Sequence, residues 1–130
     1  MELTVGMQGH AETVVVQENT AAAMGSGLLP VFATPAMVAL MEAAAVNAIE
    51  SKLDENSGSV GIRLSITHDA ASPIGAHIRA EATITAVEGR KLTFAVKAFD
   101  DAGQIGGGVH ERFIIFPEKF MAKVQNRGAN

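Results

Sequence analysis

From Pro35 to Ile49 the chain is almost wholly apolar, and Glu42 is the only charge among its Ala, Met, Val, Leu and Ile residues. Apolar positions fall all round a helical projection rather than along one stripe, so the segment predicts a helix with little surface left for solvent. Thr34 followed by Pro35 reads as its start, with the Thr oxygen as an N-cap acceptor and Pro at the first helical position; the helix is expected to run to about residue 53. Upstream, Val14, Val15 and Val16 mark a strand over residues 10–17. The Gly- and Pro-containing stretch 24–30 reads as a loop or lid.

Four β segments follow, separated by turn-forming groups at 69–75, 88–90 and 100–103. In the first, Val60, Ile62, Leu64 and Ile66 alternate with Gly61, Arg63, Ser65 and Thr67, and His68 continues the oily face. In the second, Ile78, Ala80, Ala82 and Ile84 oppose His77, Arg79, Glu81 and Thr83; in the third, Leu92, Phe94, Val96 and Ala98 repeat the alternation. The last, 105–116, is apolar on both parities near its end and carries Gly106, Gly107 and Gly108, which leaves its register open. A short helix over 118–124 would set Lys119 and Lys123 one turn apart. Short connections favour an antiparallel sheet, and one buried helix followed by a meander gives an α+β layer architecture, a single domain over 1–130, with the sheet curled around the helix.

Composition narrows the classes. With 48% hydrophobic and 18% charged residues, the chain predicts that a second subunit covers some apolar surface, so a homo-oligomer is expected. A net charge of −4 and no phosphate-tracking cluster of Lys and Arg argue against a nucleic-acid partner. No cysteine is present, which excludes disulfides, thiol catalysis and thiolate metal sites and fits a cytoplasmic protein. No export signal is read at the N-terminus, and the central helix is too short and too interrupted by Glu42 to span a bilayer, so no membrane partner is expected. His10, His68, His77 and His110 are widely separated, none in an i, i+4 pair, so neither a metal site nor a metal cofactor is expected.

A carboxylate held away from water costs several kcal/mol unless paired, bonded or protonated, which makes Glu42 a candidate functional group. His68 points to the face of the sheet that the helix must cover, so acid and imidazole are expected to aim at the same interior. Such a His can activate water or a hydroxyl. Thr34 would flank the same cavity at the positive end of the helix dipole, beside free N–H groups suited to a carbonyl oxygen gaining charge. Taken singly, Thr34 also reads as a helix cap, His68 as a core histidine, and Gly61 as a bulge or a site of close approach.

The order Val31-Phe32-Ala33-Thr34, Met37 through Glu42, Thr67-His68, Ala70-Ala71, Val87 through Arg90, His110-Glu111-Arg112, Glu118-Lys119-Phe120 and Ala122-Lys123-Val124 resembles the fluoroacetyl-CoA thioesterase-like branch of the hotdog-fold superfamily over nearly the full chain. The resemblance implies a hotdog fold, a homodimer with acyl-CoA sites at the subunit interface, and no cofactor beyond the CoA of the substrate. It implies a Thr, Glu and His catalytic set at Thr34, Glu42 and His68, an oxyanion-side glycine at Gly61, and substrate contacts that include Leu28, Phe32 and Arg112. Arg63, Arg90, Lys91, Lys119 and Lys123 are further cations that CoA phosphates could use. One departure stands out: Gly25 and Leu28 occupy lid positions where the fluoroacetyl-specific enzyme carries phenylalanines, which implies another acyl group or weaker discrimination.

Thioester hydrolysis is the expected activity, with His68 as base and later acid and Thr34 either positioning water or acting as nucleophile. Two alternatives remain. A hydroxyacyl-thioester dehydratase would also employ a His and a helix carboxylate, but in those enzymes the His generally precedes the acid. A non-catalytic acyl-thioester-binding module would keep the same residues.

Overall fold

The computed structural model describes residues 2–128. Strand β1 (Gln8–Val14) leads through a 3-10 turn and the one-turn helix α1 (Ala21–Met24) to the long helix α2 (Thr34–Ile49), which a 3-10 turn extends through Lys52. Then come β2 (Gly58–His68), β3 (His77–Glu88), β4 (Lys91–Asp100), β5 (Gly103–Ile115) and a final helix α3 (Pro117–Asn126). The strands form one antiparallel sheet in the order β1-β3-β4-β5-β2, so β1 and β2 are its edges.

Helix α2 packs on β1, β3 and β4. Met37, Met41, Ala44, Ala45, Ala48 and Ile49 give it a buried side, which meets Ile78, Ala80, Ala82 and Ile84 of β3 and Leu92, Phe94, Val96 and Ala98 of β4. The alternation expected in β3 and β4 is thus the real core pattern, and the small Ala80 and Ala82 let the helix lie close. The opposite side of α2 is less apolar in effect than in sequence: Ala39, Ala43 and Asn47 are exposed, and Val38, Glu42 and Val46 are half-buried. Apolar residues all round the helix therefore mark a side that one chain leaves bare, not a helix enclosed on every side.

Strand β2 departs from strict alternation. Gly61 pairs with Arg112 and Arg63 with Glu111, which leaves Ile62 as the extra residue of a bulge. Cross-strand partners share a face, so Ser59 and Gly61 stand with Ile114 and Arg112 on the helix side before the bulge, and Leu64, Ile66 and His68 stand there after it. Val60 pairs with Phe113 on the other face, and Ile62 is exposed. The oily face expected from Val60 to His68 is broken at its middle.

Candidate active site

Residue Thr34 is placed by the segment just before it. Phe32 N–H donates to the Ser72 carbonyl and Ala33 N–H to that of Asn19, and isolated bridges join Thr20 to Phe32 and Val31 to Pro73. The helix then begins at Thr34 itself, with Ala33 as its cap residue and no side-chain cap hydrogen bond. Thr34 is accordingly not the N-cap that its sequence context suggests. Its Oγ1 lies 2.8 Å from Nδ1 of His68, at the far end of β2.

This meeting depends on close approach of helix and sheet. His68 pairs with Gly106 on β5, and a Cβ on Gly106 would collide with the Thr67 carbonyl and stand 3.0 Å from the Met37 sulfur. The bare glycine lets the first turn of α2 settle against the end of β2.

Burial is the main reason that the His68 pKa falls below the ordinary histidine value; the Ala70 backbone and the Asp69 charge pull the other way. The ring is therefore neutral near pH 7 and can accept the Thr34 proton at Nδ1, with the other proton on Nε2. Nε2 is shielded from solvent and has no hydrogen-bond partner among the described residues. Thr34 and His68 line a cavity of about 210 Å³ with Phe32, Val31, Ser26 and Asp69.

Residue Glu42 belongs to a second cluster. Arg112 Nη1 donates to Glu42 Oε2 at 3.3 Å, and Arg112 also donates from Nε to Ser59 Oγ at 2.8 Å and from Nη2 to the Ser59 carbonyl at 3.1 Å. His110 Nδ1 donates to the Arg63 carbonyl at 2.9 Å, which leaves its Nε2 lone pair facing Arg112 Nη1 at 3.2 Å. Burial, ahead of the Arg112 charge, holds the His110 pKa low, so this imidazole too is neutral. Gly61 lies over the cluster: a Cβ there would stand 2.6 Å from Glu42 Oε2 and 3.1 Å from His110 Cε1.

Several expectations change. Glu42 is not enclosed, since its side chain keeps 40% of its exposure. It does not line the Thr34–His68 cavity, and no hydrogen bond or ion pair joins it to His68 among the described residues of one chain. Arg112, expected as a substrate contact, is buried, with its guanidinium committed to Ser59 and Glu42. Phe32 is buried beside the cavity, whereas Leu28 is 93% exposed and does not line the cavity. Ser59 and His110 were missed as partners of Glu42. Their signal was the pairing of parities between β2 and β5, which the unread bulge concealed.

Residues 15–118 match the FlK family, described as fluoroacetyl-CoA-specific thioesterase. The chain belongs to that family. It is 45% identical over 97 residues to the fluoroacetyl-CoA thioesterase of Streptantibioticus cattleyicolor, covering 75% of this chain and 70% of that one. It superposes on a solved structure of the fluoroacetyl-CoA thioesterase FlK with a TM-score of 0.91 at 37% identity, covering 97% of this chain and 98% of the other. Mutants of that enzyme are solved with acetyl-CoA and with fluoroacetate and CoA, at TM-scores of 0.91 and 0.85. A hot-dog-like protein from Thermanaerovibrio acidaminovorans matches with a TM-score of 0.87 at 25% identity, over 97% of this chain and 93% of that one. The fold is a hotdog, and the family places the chain among thioester hydrolases.

No helix among the described residues is long and apolar enough to cross a membrane. No group of three or more His, Cys, Asp or Glu among them is arranged to hold a metal ion.

Proposed function

We propose that the chain hydrolyses small acyl-CoA thioesters to a carboxylate and free CoA, with Thr34 and His68 as the reacting pair and Glu42 as the third member. The observation that carries this reading is the 2.8 Å contact between Thr34 Oγ1 and the Nδ1 of a neutral His68 beside a small cavity. A hydroxyl bonded to a neutral imidazole nitrogen can lose its proton as it attacks a thioester carbonyl, or can fix a water that does so. In either case His68 takes the proton and returns it to the departing CoA thiolate. The helix N-terminus and the Gly61 N–H are the candidate donors for the oxyanion.

Glu42 enters most simply from a second copy of the chain. Strand β2 is an edge, the inner face that it shares with Leu64 and Ile66 is only half-buried, and the bare side of α2 lies next to it. Antiparallel pairing of two β2 edges about a two-fold axis would set the His68 end of one against the Gly61 region of the other, and with it Glu42. Each homodimer would then hold two composite sites, with Thr34 and His68 from one subunit and Gly61 and Glu42 from its mate. The acyl-CoA substrate follows from the relatives that bind acetyl-CoA and CoA. Leu28 and Gly25 at the lid make fluoroacetyl selectivity weaker than in those relatives.

The test is release of free CoA from acetyl-, fluoroacetyl-, branched and aromatic acyl-CoAs. We expect turnover of the smallest acyl groups and its loss in His68→Ala. Tight binding with no turnover by the unaltered chain would favour a binding module, and loss of water from hydroxyacyl-CoA would favour a dehydratase. Sedimentation of the unaltered chain as a monomer at assay concentration, with full activity, would remove the composite site.

A further inference from the structure

His110 is 1% exposed, and both of its ring nitrogens are engaged. It stands on β5 between its cross-strand partners, Leu64 of β2 and Phe94 of β4, and stacks on the Phe94 ring at 6.2 Å. A leucine would fill that place without the cost of burying polar atoms. Neither proton transfer nor oxyanion binding in the proposed reaction uses His110, so its polarity requires another reason.

Its hydrogen bonds supply one. Nδ1 donates at 2.9 Å to the carbonyl of Arg63, the residue at which β2 regains register after the Ile62 bulge. That bond fixes the tautomer and leaves the Nε2 lone pair as an acceptor. Arg112 Nη1 lies 3.2 Å from this Nε2 and 3.3 Å from Glu42 Oε2, so its two hydrogens serve the imidazole and the carboxylate together. Ser59 holds the rest of the guanidinium, accepting from Nε at 2.8 Å and from Nη2 at 3.1 Å. The three side chains converge at Gly61: a Cβ there would lie 2.6 Å from Glu42 Oε2, 3.1 Å from His110 Cε1 and 3.5 Å from Arg112 Nη1.

We propose that His110 is a positioning residue: as a neutral acceptor it fixes the guanidinium edge of Arg112 and, through it, the carboxylate of Glu42 beside Gly61. The inference rests on the hydrolase reading and adds a residue to the Glu42 side of the composite site. Without an acceptor at Nε2, one hydrogen of Arg112 Nη1 loses its partner, and the guanidinium can turn about its Ser59 contacts. Arg112 is the one hydrogen-bond donor to the Glu42 carboxylate among the described residues, so the acid would turn with it.

Protonation of His110 undoes the arrangement. It sets an imidazolium 3.2 Å from a guanidinium and makes Nε2 a donor that competes for Glu42 Oε2, 3.9 Å away. The charges that face the ring are Arg112 on its own strand, which opposes protonation, and Glu42 of α2 and Glu111 of β5, which favour it. Burial is the largest influence and keeps the acceptor form near pH 7.

The experiment compares kcat and KM for the acyl-CoA turned over fastest in the unaltered chain, His110→Gln and His110→Leu, each shown to melt cooperatively. Gln brings an amide oxygen near the place of Nε2, whereas Leu has similar bulk and no acceptor. We expect kcat to fall about tenfold or more in His110→Leu, a loss of alignment, with KM held within about twofold. His110→Gln should recover most of the kcat. An unchanged kcat in a folded His110→Leu chain overturns the proposal, as does an equal loss in both variants.

Nitrogen-15 NMR of the His110 ring tests the geometry without turnover and without a substitution at this position. We expect Nδ1 protonated and Nε2 bare near pH 7, with the Nε2 signal moving toward that of an unbonded imidazole nitrogen in Arg112→Met. The opposite tautomer, or an Nε2 signal indifferent to Arg112, overturns the clamp. If both signatures hold while the unaltered chain hydrolyses no acyl-CoA, the clamp stands and the hydrolase reading fails.

Discussion

A side chain on Gly61 has nowhere to go because Glu42 is already there, its Oε2 2.6 Å from where the Cβ would be. The obstructing atom ends a flexible side chain, so the fold can accommodate Ala at this position. The carboxylate cannot move without loosening its 3.3 Å bond to Arg112. We therefore expect Gly61→Ala to fold with a melting temperature lowered by only a few degrees, roughly 1 kcal/mol, while kcat/KM falls about tenfold or more. Thermal melts and steady-state kinetics on the same preparation check both halves. Full activity would mean that Glu42 needs no fixed position.

Thr34 separates a cap from a catalytic hydroxyl. Its side chain makes no cap hydrogen bond and instead meets His68 at 2.8 Å. Thr34→Ala should cost little stability, under about 1 kcal/mol, but about 100-fold in kcat. Thr34→Ser keeps a hydroxyl and should stay within about tenfold of the parent. Equal activities for the Ser and Ala variants, measured by CoA release, would reduce Thr34 to a structural residue.

The alternations of β3 and β4, the long helix and the inward face of His68 were legible because each rests on a periodicity that survives folding. The partners of Glu42 were not. One extra residue at Ile62 exchanges the faces of everything before it, so Gly61 turns inward and Val60 outward, and no feature of composition marks that step. The enclosure expected for Glu42 failed for another reason. An apolar surface on a helix does not say whether the chain itself or a neighbour covers it, and here Ala39 and Ala43 remain exposed beside Glu42. Thr34 looked like a cap because Thr-Pro commonly starts helices, whereas the backbone pins at Phe32 and Ala33 shift the start by one residue and free the hydroxyl.

Arg112 tests whether the acid needs its clamp. The guanidinium satisfies Ser59, Glu42 and His110 together, so Arg112→Met leaves several polar groups without a partner. Breaking a buried charged pair typically costs about 3–5 kcal/mol, and the partial exposure of Glu42 reduces that to roughly 1–3 kcal/mol. Urea unfolding should show a lower midpoint with an unchanged slope. Arg112→Lys should recover little, because a single ammonium cannot span Ser59 and Glu42 at once. Near-parental stability of the Met variant would show that the cluster is not a unit.

Buried His110 and half-buried His68 set the pH response, and both act with the same sign. Burial is the leading cause that lowers both pKa values; Asp69 opposes it at His68, whereas at His110 the Arg112 charge adds to it and Glu42 and Glu111 oppose it. In the unfolded chain both rings take up a proton at an ordinary pKa of about 6.5. Between that value and their lower folded-state values, the unfolded chain binds more protons, so stability falls as pH drops below about 6.5 and is complete above it. His110→Gln, which cannot titrate, should flatten the slope of the urea midpoint against pH between about 5 and 7. With His68 as the proposed base, its neutral form is the active one, so kcat/KM should lose activity on the acid side with a midpoint below about 6.5. Replacing Asp69 with Asn removes the charge that favours protonation and should move that midpoint further down. A midpoint that rises in Asp69→Asn, or an acid limb that persists unchanged in His68→Ala, would assign the titration to another group.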